Sequence, residues 1–138
     1  MRAAVSPTGD RLFVTARNSN AVLVFDSSRL LSDGPHARTA LVPVGQSPTP
    51  IAVIDHGTTL LVGNTGRYSR QPVSGTLTVL NTAELQQGAD AVLGVIHTGS
   101  FPRAMRVSPD GNTVFLTNWA SDFLQVIDLK ELPKLLSH

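Results

Sequence analysis

Apolar residues in this chain gather in short runs, each stopped by a turn, and their order repeats. Residues 3–6, 51–54 and 105–108 are apolar stretches that end at turns containing Gly9, Gly57 and Gly111, where glycine takes a positive φ at no steric cost. These predict the first strand of a unit. Residues 12–15, 60–63 and 114–117 are continuous β-rich runs without polar alternation, as expected of a second strand covered on both faces. A third run places Val22 and Val24, Leu77 and Val79, and Leu124 and Val126 on either side of Leu23, Thr78 and Gln125. That period of two predicts a strand with one face better buried than the other. Residues 39–44 and 92–98 predict outer strands, and Pro43 inside the first of them suits an edge. The long polar links at 27–38 and 82–91 precede them, with a helical turn expected at 82–87.

The runs belong to one repeated phrase. Val5-Ser6-Pro7-Thr8-Gly9-Asp10-Arg11-Leu12-Phe13-Val14 returns as Val53-Ile54-Asp55-His56-Gly57-Thr58-Thr59-Leu60-Leu61-Val62 and as Val107-Ser108-Pro109-Asp110-Gly111-Asn112-Thr113-Val114-Phe115-Leu116. The glycines are spaced by 48 and then 54 residues. Each third run ends in Asp26, Asn81 or Asp128, which lies 17 residues after the glycine in copies one and three and 24 in copy two. Seven extra residues, 67–73, therefore sit between the second and third runs of copy two. Gly45-Gln46-Ser47-Pro48 and Gly99-Ser100-Phe101-Pro102 supply a third anchor in the same register. A repeat of 40 to 50 residues built from short strands predicts an all-β chain of β-propeller blades.

On this reading the fold is a β-propeller of about three four-stranded antiparallel blades, the last incomplete, with blades near 1–45, 50–99 and 102–128 and a tail at 129–138. About eleven strands are expected, and Pro133 and a helical turn at 132–136 replace a fourth strand in the last unit. Closed propellers usually hold four to eight blades. Three would leave apolar faces open at both ends, so the chain is expected to be part of a larger propeller or to self-associate.

The phrase from Pro102 to Asp128, with Val107-Ser108-Pro109-Asp110-Gly111, Thr117-Asn118 and Val126-Ile127-Asp128, resembles the repeat of YVTN-type β-propellers, which are themselves similar to the lactonase-like seven-bladed propellers. Copy one departs from it with Ala16 in the asparagine place, and copy two with Ile54-Asp55-His56 for Ser-Pro-Asp. The resemblance covers nearly the whole chain and implies a fold more than an activity, because one propeller scaffold hosts many functions. It also implies a periplasmic or secreted setting. No signal peptide is read at the N-terminus.

Composition narrows the partners. With 138 residues and 41% hydrophobic content there is material for one core, and a net charge of +1 predicts no broad surface for nucleic acid or anionic membrane. No apolar run approaches a membrane span, and zero cysteines exclude a disulfide framework.

Strand direction alternates within a blade, so the link into each first strand and the link between second and third strands emerge at the same end. That end is expected to carry the ligand or partner site, at Arg103, Arg67, Arg70, Tyr68, Asn118 and Trp119. Arginine offers a planar fork to carboxylate or phosphate, and the aromatics offer stacking and cation-π surface. Each has a plainer role as well: a surface ion pair for Arg103, turn hydrogen bonds for Asn118 and Asn64, cover for a blade interface at Trp119, tolerated drift for the insertion. The histidines His36, His56, His97 and His138 form no metal pair, and there is neither a nucleophile elbow nor a phosphate-binding glycine loop, so no cofactor, metal or catalytic residue is expected. Asp10, Asp55 and Asp110 read as turn residues. The sequence thus points to a noncatalytic scaffold for a protein or small-molecule ligand. A lactonase-like hydrolase, with arginine polarising a lactone carbonyl, is the alternative.

Overall fold

The computed structural model describes residues 1–70 and 74–138. Within them lie three antiparallel sheets arranged as propeller blades. The first is β1 (Ala3–Val5), β2 (Arg11–Ala16), β3 (Ala21–Asp26) and β4 (Arg38–Pro43), in that spatial order. The second repeats it with β5 (Pro48–Ile54), β6 (Thr59–Asn64), β7 (Thr76–Asn81) and β8 (Val92–His97). The third has β9 (Pro102–Val107), β10 (Thr113–Asn118) and β11 (Phe123–Asp128), and lacks the outer strand, as the residues after Asp128 predict.

The turns explain why each hairpin closes where it does. Ser6 donates to Asp10 Oδ1 at 2.6 Å and accepts the Arg11 N–H at 3.0 Å, so one hydroxyl ties both sides of the turn around Gly9. Ser108 repeats this, donating to Asp110 Oδ1 at 2.5 Å and accepting the Thr113 N–H at 3.0 Å. Both glycines have φ of 76°. The middle blade has no serine there and turns instead through Asp55 and His56, at φ of 51° and 54°. At the far end of each third strand a side-chain oxygen accepts the N–H two residues on, Asp26 from Ser28, Asn81 from Ala83 and Asp128 from Lys130. Those acidic and amide residues therefore end strands as Asx turns.

Blade packing follows the register. Phe13 pairs with Val24 and Val22 with Val42, and all four side chains point at the second blade. They meet Leu60, Val62 and Leu80 there. On its other face the second blade presents Leu61, Leu77 and Val79 to Val114, Leu116 and Ile127 of the third. Alternate residues of β6 thus serve two different interfaces, which is why that strand reads as a continuous apolar run. After β11 the chain buries Leu129 and Leu132 in the second interface, forms a one-turn helix α1 (Leu132–Leu135), and returns to β8. There Val95 and Ser137 exchange backbone hydrogen bonds of 2.9 and 2.8 Å.

Candidate functional site

The links that the repeat assigns to one end meet there. Thr65 N–H donates to Ser47 O at 3.2 Å and Gly66 N–H to Gln46 O at 3.1 Å, joining the two loops that flank the second blade. Trp119 N–H donates to Phe101 O at 2.9 Å and Ala120 N–H to Ser100 O at 3.2 Å, which is the same pairing one blade further on. Ser47 and Phe101 occupy equivalent places and share a left-handed backbone, φ 55° and 60°. The Asn20 side chain, itself on a left-handed residue, accepts the Ser47 N–H at 2.9 Å. The loops are therefore fixed to one another before any ligand is involved.

The six residues expected to form the site fall in three places at or beside this end. Arg103, on β9, lines a cleft of about 170 Å³ at the innermost strands together with Arg2, Arg106, Pro50 and Met105. Tyr68 is exposed and has two guanidinium neighbours, Arg17 at 5.6 Å and Arg67 at 5.9 Å from its ring centroid. Arg70 is exposed near it, and the rest of the predicted insertion, Gln71, Pro72 and Val73, lies outside the described residues. Trp119 is exposed and meets the Phe101 ring edge-on, with centroids 5.6 Å apart. Beside it an open hollow of about 260 Å³ is bordered by Asp122, Phe123 and Leu124.

Asn118 is 1% exposed and points toward the second blade. Its Nδ2 donates to Gln125 Oε1 at 3.4 Å, and Gln125 in turn donates to His97 O of the second blade at 3.3 Å. Asn64 sits in the same place one blade earlier, donating to Thr76 and Thr78 hydroxyls at 3.0 and 2.8 Å. Both asparagines keep a buried Oδ1 without a protein partner. A Cβ on Gly45 would lie 2.5 Å from Asn64 Cγ, so this glycine makes room for the amide, whereas a Cβ on the equivalent Gly99 would meet Ser121 and the Phe123 ring. The repeat marks these positions through blade contact.

Carboxylates are gathered at one end of the blades, while basic residues stand at both, with Arg11, Arg29, Arg38, Lys130 and Lys134 among the carboxylates. Arg2, Arg17, Arg67, Arg70 and Arg103 belong to the loop end just described, with Asp122 as its single carboxylate. The other nine of the ten acidic residues lie toward the opposite end: Asp10, Asp55 and Asp110 in the hairpin turns, and Asp26, Asp33, Glu84, Asp90, Asp128 and Glu131 at or after the third strands. Serine and threonine hydroxyls hold Asp10 below the ordinary carboxylate range, and the Ser108 hydroxyl and Asn112 N–H do the same for Asp110. His36 and then Arg29 lower Asp33, which bonds both at 2.7 Å. Arg2, Arg17 and Arg106 were not singled out from sequence. Arg17 stands in the repeat place of Trp119, and Arg2 follows Met1, which stands in the place of Arg103. Among the described residues no group of three histidine or acidic side chains is arranged to hold a metal, and no helix is long and apolar enough to cross a membrane.

Solved structures with this architecture are β-propellers. The chain superposes on hydrazine synthase of Kuenenia stuttgartiensis with a TM-score of 0.74 at 23% identity, covering 94% of this chain and 32% of that one. A proposed 6-phosphogluconolactonase of Bacteroides fragilis NCTC 9343 aligns at TM-score 0.75 and 16% identity, covering 99% and 36%. Sqt1 of Chaetomium thermophilum aligns at TM-score 0.67 and 16% identity, covering 94% and 32%. The chain thus spans about a third of the length of each of these structures. At such identities the likeness establishes the fold, and the three neighbours differ among themselves in function. No protein-family model and no curated protein matches the chain.

Proposed function

We propose that this chain is a noncatalytic β-propeller scaffold of the YVTN type, a segment of a larger ring, that holds a ligand or protein partner at its loop end. The observation that carries the reading is the loop end itself: arginines and exposed aromatics on hydrogen-bonded loops, with nearly all carboxylates placed elsewhere. Loops held on a rigid scaffold are where binding accumulates. Replacing Arg67 and Arg103 with alanine is expected to weaken partner binding while the melting curve stays in place; unchanged binding sinks this placement of the site.

Ring completion belongs to the same reading. The outward face of the third blade repeats, residue for residue, the face by which the first blade packs on the second. Phe115, Leu124 and Val126 take the places of Phe13, Val22 and Val24, and are 39%, 55% and 59% exposed against 0%, 0% and 2%. A second copy, whose first blade offers Leu12, Val14 and Phe25 in the places of Leu60, Val62 and Leu80, closes a two-fold ring of six blades; further blades of a longer chain close it equally well. The solution mass of the purified 138-residue chain separates the two, since a second copy requires twice 14.7 kDa.

A lactonase-like hydrolase is the second reading, favoured by the fold likeness to the proposed 6-phosphogluconolactonase, which covers nearly all of this chain. Turnover of sugar or acyl lactones, lost on removing Arg103, would establish it over the scaffold.

A further inference from the structure

We infer that the cleft between Arg2 and the Arg103–Arg106 pair is a seat for a small organic dianion, one carrying a carboxylate or phosphate group at each end of an apolar middle. The inference rests on the reading that the loop end binds ligands and gives that ligand a chemistry. Three innermost strands build the cleft, and the central one, β5, contributes only Pro50 and Ile51. Its neighbours supply the charge: Arg2 just before β1, Arg103 and Arg106 on β9. No acidic residue lines the cleft. The arrangement is an apolar floor between cationic walls.

None of these three arginines is spent on an ion pair. Among the described residues the ion pairs of lysine and arginine are Arg29 with Asp33 and Lys134 with Glu131. Among the described residues, too, the one hydrogen bond from a side chain of the three goes from Arg106 Nη1 to its neighbour's carbonyl, Met105 O, at 3.0 Å. Guanidinium groups left with free donors in a concave site are suited to bidentate capture of carboxylate or phosphate. The long-range field acts in the same sense, because nine of ten carboxylates stand at the far end and only Asp122 at the near one. A net charge of +1 therefore conceals a dipole, with five arginines against one carboxylate at this end, that draws anions to it, and a low-dielectric floor focuses it.

The size of the cleft and its divided charge decide between ligands. About 170 Å³ admits a small molecule and excludes a folded partner. Charges on two walls with a neutral strand between them favour two separated anionic groups over one. A wider surface contact, running out to Arg17 and Arg67, would instead suit an acidic segment of a protein.

The test is a titration of the 138-residue chain with glutarate, butyrate and pyrophosphate, followed by calorimetry and by backbone amide shifts at low and high salt. Glutarate is expected to bind at least about tenfold more tightly than butyrate, since each charged hydrogen-bonding partner is worth about a factor of ten or more. The double variant R103A/R106A should lose that margin, and R38A, on β4 and outside the cleft, should keep it. Equal affinity for glutarate and butyrate, absence of binding by all three probes, or binding that survives R103A/R106A would overturn the assignment. Binding of an oligo-aspartate peptide that depends on Arg17 and Arg67, with no glutarate bound, would overturn it in favour of a protein partner. Lactone turnover, by contrast, would end the noncatalytic reading and leave the dianion seat standing.

Discussion

The second and third blades are built on one register, yet they live in different solvents. Leu61, Leu77 and Val79 of the second are fully buried, whereas Phe115, Leu124 and Val126, in the same repeat places of the third, are substantially open to water. Identical strand chemistry thus gives a core on one side of a blade and a sticky surface on the next. What separates them is a neighbour. Repeat architectures behave in this way because each unit contacts only the adjoining ones, so their stability is a sum over units and interfaces.

The largest expected effect comes from breaking the covered face. Leu77→Ala should cost about 2–5 kcal/mol, read as a shift in the urea midpoint, because the cavity forms between two sheets that cannot collapse onto it. Leu124→Ala, its repeat equivalent, should change the stability of a monomer by less than about 0.5 kcal/mol, as surface substitutions do. Equal costs at the two sites would mean that the outer face of the third blade is already covered in solution. Val126→Asp then sharpens the contrast: it should disperse any dimer seen by light scattering, while Leu23→Asp does the same from the first blade. Mixing the two variants should restore part of the mass, since one intact pair of faces remains in a head-to-tail ring. A back-to-back dimer of third blades would ignore Leu23→Asp.

Next in size is the interface amide. Asn64→Ala removes hydrogen bonds to the half-buried Thr76 and buried Thr78 hydroxyls and leaves them without that donor, so about 1–3 kcal/mol is expected by thermal or chemical melting. Loss of ligand affinity with unchanged stability would show instead that the amide serves the loop end.

How much of this was legible in sequence depends on whether a feature is periodic. The eleven strands, the Asx turns at Asp26 and Asp128, and the missing outer strand all follow from the spacing of apolar runs and glycines, because period-two burial and turn chemistry are local. The separation of charge is not local. It arises only when alternating strand direction sends Arg17, Arg67 and Arg103 to one end and Asp10, Asp33 and Asp128 to the other, and a net charge of +1 conceals it. The link after the second strand places Asn118 at the loop end in sequence, yet as the last residue of β10 it continues the alternation of Val114 and Leu116, and its side chain is buried in the blade interface. The return of Ser137 to Val95 is a single bridge without a period, which no pattern announces.

A smaller effect distinguishes the hairpin turns. Asp55 and His56 both hold left-handed backbone, a conformation costing a non-glycine residue about 1–2 kcal/mol. His56→Gly should therefore raise stability by about 0.5–1 kcal/mol, after the added freedom of glycine in the unfolded chain is subtracted. A loss of stability would show that the His56 side chain makes a contact worth more than the strain.

The subtlest contrast is between that turn and those of the first and third blades, where a serine hydroxyl lowers an aspartate. Asp110 is held below the ordinary carboxylate range chiefly by Ser108, and then by the Asn112 N–H. A carboxyl depressed in the folded state adds stability that is present above its unfolded pKa and is lost as pH falls through the folded value. Ser108→Ala should therefore raise the Asp110 pKa and remove that increment throughout the neutral range, where the variant's profile runs parallel to and below the parent's, with the gap narrowing as pH falls through the folded value. Asp110 is fully exposed, so the change is small and best read by carbon-detected titration of its carboxylate. A titration curve unmoved by Ser108→Ala would show that the turn depends on its glycine and leaves the hydroxyl without an electrostatic role.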